Sequence, residues 1–259
     1  MGTVLTLAQG TFGEAIRRKI LNIFLIVALA MIGLFFAFSS FTAREDLTIT
    51  LSTGLGVISL AGVFISVILG INLVPSEIEK RTIYTILSKP VRRHEFLLGK
   101  YFGGLTTVFV NIALMGIVFI GLVWLKTRNP DSQVWEGVLM IFFQMMLLSS
   151  VALLFSVFVS PFVNFFLTFA VYIVGSMSSV TESLATQDGH KNPIVVAFFW
   201  LIHFIIPNFG NFNIQNPIIH PDIQIQNMGV YMTQTILYAI IYSAIMLLIA
   251  ILIFDRREV

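Results

Sequence analysis

The amino-acid sequence predicts an all-α, polytopic membrane protein with six transmembrane helices, and three observations carry that prediction. Of the 259 residues, 57% are hydrophobic and only 11% charged, against roughly 45–50% and about 25% in soluble domains. So few charges cannot cover a soluble surface. Six stretches, 20–41, 55–74, 102–125, 138–159, 162–180 and 230–254, are long and apolar enough to cross, since a hydrocarbon layer of about 30 Å needs about 20 residues at 1.5 Å each. Basic residues divide unevenly between the loops, which sets orientation.

Residues 1–19 precede the first span as a predicted amphipathic interface helix. Leu5, Ala8, Phe12, Ala15 and Ile16 make its apolar face, and Gln9, Glu14, Arg17 and Arg18 the polar one. Such a helix lies by default in the plane of the membrane surface. The first span is too long for a signal-peptide core and lacks a small-residue cleavage site. Between the last two spans, 181–229 is rich in Asn, Gln and Pro. Its apolar run 194–206 is too short to cross and ends at Pro207, so it is expected as a re-entrant or interfacial helix. The whole chain, 1–259, is one transmembrane domain.

With the N-terminus inside, the inner loops hold Arg17, Arg18, Lys19, Lys80, Arg81, Lys89, Arg92, Arg93, Lys100, Arg256 and Arg257. The outer loops hold Arg44, Lys126, Arg128 and Lys191. Both termini are therefore expected in the cytoplasm.

No Asp, Glu, Lys or Arg lies well inside any predicted span, although ion-coupled carriers usually keep ionisable groups at membrane depth. Asn111, Gln144 and a few hydroxyls are the polar exceptions, with His203 in the short run; bonding to neighbouring helices accounts for such groups. If the chain moves a substrate, its energy is expected from outside the chain. The chain has no nucleotide site of its own. Its one Gly-Lys pair, Gly99–Lys100, has His94 where a phosphate loop needs its first Gly, and Tyr101 where it needs a hydroxyl for Mg²⁺. Hydrolase signatures are absent too. Without Cys there is no thiolate metal site. His203, His220, Met228 and Met232 lack ligand spacing, so no metal is expected. A net charge of +2 gives no footprint for nucleic acid.

Small residues recur at four-residue spacing. They are Gly62, Ser66 and Gly70 in the second span, Ala152, Ser156 and Ser160 in the fourth, and Gly99 and Gly103 at the start of the third. Such stripes let helix backbones approach closely, either within one chain or across a seam between two.

The segment 76–101 is the long connection on the inner side. Ser76 suits an N-cap, with Glu77 and Glu79 in the first turn, where the helix dipole favours anions. Ile78, Ile83, Ile86 and Leu87 form a rough apolar stripe, while Lys80, Arg81 and Tyr84 point elsewhere. Pro90 stops this helix, and a second one restarts near Arg92 and runs into span three. Chemistry leaves two readings open: a basic loop on anionic headgroups, or a docking element for a soluble partner.

This stretch, Glu77-Ile-Glu79-Lys-Arg81-Thr82-Ile83-Tyr84-Thr85-Ile-Leu87-Ser-Lys-Pro90-Val-Arg92-Arg93, continued to Leu98-Gly99-Lys100, resembles the membrane subunits of ABC-2 type ATP-binding-cassette exporters. The branch it is most similar to holds the nitrous-oxide-reductase maturation and gliding-motility permeases. Arg81 stands where many of those chains have Gly. The resemblance implies a bacterial inner-membrane, multi-pass permease in which 76–101 carries the coupling helix. Thr82 to Leu87 would dock on a cytoplasmic ATPase, with Glu77 and Glu79 as polar contacts and Arg92 and Arg93 holding the docking helix against phosphates. It further implies two permease copies with two ATPase subunits in surrounding lipid, ATP and Mg²⁺ held by the partner, and no cofactor or catalysis in this chain. Two alternatives stay open: an ATPase-coupled scaffold that transmits force in an assembly machine, and a secondary carrier without ATPase.

Overall fold

The computed structural model describes residues 2–41, 47–73, 75, 92–128, 132–177, 205–214 and 227–256. These form α1 (Gly2–Ile16), α2 (Lys19–Phe41), α3 (Leu47–Asn72), α4 (Arg93–Thr127), α5 (Ser132–Phe158), α6 (Pro161–Ser176), a 3-10 turn (Gly210–Phe212) and α7 (Met228–Asp255). Every described element is helical. Among the described residues, α2, α3, α4, α5 and α7 are long and apolar enough to cross a membrane.

The predicted fifth span differs. It is the 16-residue α6, which rises about 24 Å and falls short of about 30 Å. Pro161 at its start follows an extended Ser160, as suits a ring that pre-sets helical φ and lacks an N–H. Asn164 donates to the Ala152 carbonyl at 3.0 Å and accepts from the Thr168 hydroxyl at 2.8 Å, so the buried amide ties α6 to α5. At the far end, a Cβ on Gly175 would meet the Pro207 carbonyl and the Phe209 ring. Residues 205–214 thus pack directly against the far end of α6.

Helices α3 and α5 form the centre. Their apolar windows are each 67% enclosed, against 17% for α2 and 22% for α7. The outer pair present apolar rows such as Ile23, Ile26 and Leu34, or Leu237, Ile241 and Leu248, which are exposed as lipid-facing residues are. Helix α4 has 35 residues, about 52 Å, and exceeds the hydrocarbon thickness by about 20 Å. Its excess belongs at the charged end, with Arg93, His94, Glu95 and Lys100.

In the N-terminal helix, Leu5 and Ile16 of the predicted apolar face are 63% and 45% exposed, as residues resting on a membrane surface are. Thr11 and Ala15 are buried, and Val4, Leu7, Ala8 and Thr11 meet the groove that Gly99 and Gly103 leave in α4.

Candidate coupling face and outer cavity

At one end of the molecule, the base of α4 is held from two sides. A Cβ on Gly99 would lie 2.6 Å from the Leu7 Cβ, and one on Gly103 would lie 2.6 Å from the Thr11 Cβ. The register advances together on both helices, so α1 runs alongside α4 there. Lys100, 5% exposed, brings its ammonium to 4.0 Å from Glu14, which also accepts from Arg18 at 3.2 Å. The bend into α2 is closed by the Asn22 side chain, which donates to the Ile16 carbonyl at 3.3 Å.

Arg92 precedes α4 in extended conformation, and its N–H donates to the Glu95 carboxylate at 3.1 Å. Arg93 reaches across to α7, donating from Nη1 to the Phe254 carbonyl at 3.1 Å and the Asp255 carbonyl at 3.3 Å. Its guanidinium also stands 5.9 Å from the Phe254 ring centroid. A cation at the last carbonyls of a helix offsets the negative end of its dipole. The structure places Arg93 on the end of α7. Arg93→Ala is expected to cost about 1 kcal/mol and to lower the thermal midpoint in detergent by about 2–4 °C. Arg93→Lys should recover part of the loss, and a midpoint unchanged by Arg93→Ala would remove this role.

Glu77, Glu79, Arg81, Thr82, Ile83, Tyr84, Thr85, Leu87 and Pro90 lie outside the described residues. Their anchor points, the end of α3 and the base of α4, are described, and Leu73 of the first packs against Gly104 of the second.

Apart from Ser160, which is exposed, the small residues of these stripes face inward within the chain. Gly62 meets Met145 of α5 and Ile112 of α4, and Gly70 meets Ala152 of α5. Ser66 is wholly buried, and the Ser156 hydroxyl, also buried, donates to the Leu153 carbonyl at 2.7 Å.

The other end holds an inserted segment, 205–214, many of whose backbone polar groups are met by side chains and neighbouring backbone. Gln144 donates from Nε2 to the Phe209 carbonyl at 3.2 Å, while its Oε1 accepts from Ser59 at 3.4 Å. The Phe209 N–H donates to the Gly175 carbonyl at 3.0 Å. Three tyrosines of α7 follow the segment: Tyr231 donates to the Asn211 carbonyl, Tyr238 accepts from the Asn208 N–H, and Tyr242 donates to the Ile205 carbonyl. Tyr242 stands 14 residues into α7, about 21 Å along it, so the segment reaches mid-helix depth. Non-helical backbone survives there only where protein satisfies its polar groups. The expected re-entrant run, 194–206, lies outside the described residues except for its last two.

Beside this segment lies a cavity of about 280 Å³ between α3, α5 and α6. Phe64, Phe169, Tyr172, Phe209 and Phe212 supply aromatic walls, and Ser59, Gln144 and Asn213 supply polar points. Sequence reasoning singled out Gln144 as polar at depth but gave it no partner, and it passed over Ser59 and the tyrosines. One signal was present: Tyr231, Tyr238 and Tyr242 are spaced by seven and four, which puts them on one helix face.

A lipid-facing helical bundle with charged residues gathered at one end and an aromatic cavity at the other defines a polytopic membrane protein. Residues 55–259 match the family described as ABC-2 family transporter protein, and the chain belongs to that family. Its members are the membrane component of such transporters. No curated protein matches the chain closely.

Proposed function

We propose that the chain is the permease subunit of an ABC-2 type exporter in a bacterial inner membrane. It works as two copies with two copies of a cytoplasmic ATPase, which supplies ATP and Mg²⁺. Six crossings place both termini in the cytoplasm, with α6 as the fifth, completed on its outer side by the inserted segment. The asymmetry of basic residues supports that orientation. In this reading α1 buttresses the lever while also resting its exposed Leu5 and Ile16 in the membrane surface. On this reading the chain sits in the branch that holds the maturation and gliding permeases, which the 76–101 pattern supports.

The observation that carries the coupling is the way the base of α4 is built. The segment 76–91 joins α3 to a helix end that projects beyond the hydrocarbon, is buttressed by α1, and is pinned to α7 by Arg93. A push on that segment by ATPase closure would therefore move α3, α4 and α7 together, rather than bending one helix alone. Glu77 and Glu79 would contact the ATPase, Thr82 to Leu87 would dock, and Arg92 would flank the elbow. The outer cavity favours an exporter over a force transmitter, which has no use for a site.

Glu79→Arg is expected to leave membrane insertion and folding intact and to abolish co-purification with the ATPase encoded alongside. Capture of the ATPase at the wild-type level would count against docking at this segment. Substrate-stimulated ATP hydrolysis in liposomes would separate the exporter from a scaffold, and transport that persists without ATP would identify a carrier.

A further inference from the structure

The bend between α1 and α2 carries three successive cations, Arg17, Arg18 and Lys19, and they divide between two sides. Arg18 turns inward and donates to Glu14 at 3.2 Å, and the same carboxylate lies 4.0 Å from the buried Lys100. Arg17 and Lys19 are exposed. The acid of this corner is thus engaged from the inside, while two further cations stand on the outside.

The outer pair lies at the edge of an apolar surface. Helix α2 is long and apolar enough to cross a membrane from Lys19 onward, so Lys19 marks the level at which hydrocarbon gives way to headgroups. Lys19, Ile23 and Ile26 recur at i, i+4 and i+7, which puts them on one helix face. Ile23 and Ile26 are 57% and 64% exposed. Ile16, just before Arg17, and Ile20, just after Lys19, are exposed as well. Cationic and apolar side chains therefore adjoin on a surface directed at lipid.

The bend that presents them is held by hydrogen bonds. The Arg18 N–H donates to the Ala15 carbonyl at 3.0 Å, the Leu21 N–H to the Arg18 carbonyl at 3.1 Å, and the Asn22 side chain to the Ile16 carbonyl at 3.3 Å. Two cations fixed at the boundary, beside a column of isoleucines, match the phosphate and the upper acyl chain of one lipid molecule.

We infer that the α1–α2 bend is a binding site for an anionic phospholipid, with its phosphate between Arg17 and Lys19 and one acyl chain along Ile23 and Ile26. A zwitterionic lipid brings an ammonium of its own, which the two cations repel, so the charge of the head sets the preference. The inference goes beyond the exporter reading and does not depend on it.

The test uses the full chain in phosphatidylcholine nanodiscs doped with a trace of phosphatidylglycerol that carries a diazirine in the upper part of one acyl chain. Irradiation is expected to label the 16–27 stretch. Excess unmodified phosphatidylglycerol should displace the label, where the same excess of phosphatidylcholine does not. Arg17→Gln and Lys19→Gln should each weaken labelling of this stretch about fivefold, the worth of one cation beside an anionic lipid surface. Both side chains are exposed, so neither variant should shift the thermal midpoint. Arg256→Gln is the control: it removes an exposed cation at the end of α7 and lowers the net charge equally, yet should leave labelling at the wild-type level.

Displacement by phosphatidylcholine as effective as by phosphatidylglycerol would overturn the site, and so would undiminished labelling of the double variant Arg17→Gln/Lys19→Gln. An equal loss in Arg256→Gln would overturn it too, by reducing the effect to the general surface potential. No ATPase enters the measurement, so failure here leaves the exporter reading standing, and loss of that reading leaves the site.

Discussion

Gly70→Leu is expected to prevent the chain from reaching a stable folded state in detergent. On α3, a Cβ at position 70 would overlap the Ala152 Cβ and come within 3.4 Å of the Ala152 backbone. A backbone cannot swing aside as a side-chain tip does, so α3 and α5 must separate. Overpacking of this kind costs typically 1–3 kcal/mol and occasionally more; here it strikes the most enclosed pair of helices and belongs at the upper end. Gly70→Ala should produce a smaller drop in the thermal midpoint, because only the Cβ overlap is added. Gly33→Leu, on α2 with nothing within 4 Å of its Cβ, is the control and should behave as wild type. Size-exclusion profiles and thermal midpoints of the three would decide it. A monodisperse, wild-type-like Gly70→Leu would mean that α3 and α5 do not meet at this point.

Gly103→Leu is expected to release α1 while leaving the bundle folded. The added side chain would drive into the Ala8 carbonyl, 2.5 Å from the new Cβ, and into Thr11. Helix α1 is joined to the rest mainly through α4, so its loss leaves the α3–α5–α7 core untouched. Trypsin cleavage at Arg17 and Arg18 should then quicken at least tenfold, since an undocked helix exposes its end to the protease at near-zero opening free energy. On the exporter reading, the released lever would also lose substrate-stimulated ATPase activity while keeping the ATPase bound. Gly121→Leu on the exposed side of the same helix, where a Cβ meets nothing within 4 Å, should change neither readout. Cleavage at the wild-type rate in Gly103→Leu would show that α1 does not depend on this groove.

These two glycines also mark how far linear pattern carried. The four-residue stripes were visible at once, because small residues at i and i+4 share a helix face whatever lies opposite. What lay opposite was not visible. Gly99 and Gly103 turned out to receive α1, a segment nearly a hundred residues away in sequence, and Gly70 to receive Ala152. The face of α1 is a second case: Val4, Leu7, Ala8 and Thr11 meet the α4 groove, while Leu5 and Ile16 stay exposed, and nothing in the linear pattern separates Leu5 from Leu7. Arg93 is a third case: its charge was legible, but its acceptors, two carbonyls at the end of α7, carry no signature in sequence, because every residue has one.

Sequence alone determined that this chain is a membrane protein and that its structure is helical. Those properties follow from hydropathy summed over twenty residues and from the scarcity of charges at depth, which are additive quantities that need no knowledge of neighbours. Only the tertiary structure decided how long α6 is, which stripe meets which helix, and that Gln144, Ser59 and three tyrosines hold the 205–214 segment beside an aromatic-walled cavity. Those features depend on pairs of groups brought within about 3 Å from opposite parts of the chain, and a hydrogen bond or a steric contact exists only once both partners have been placed.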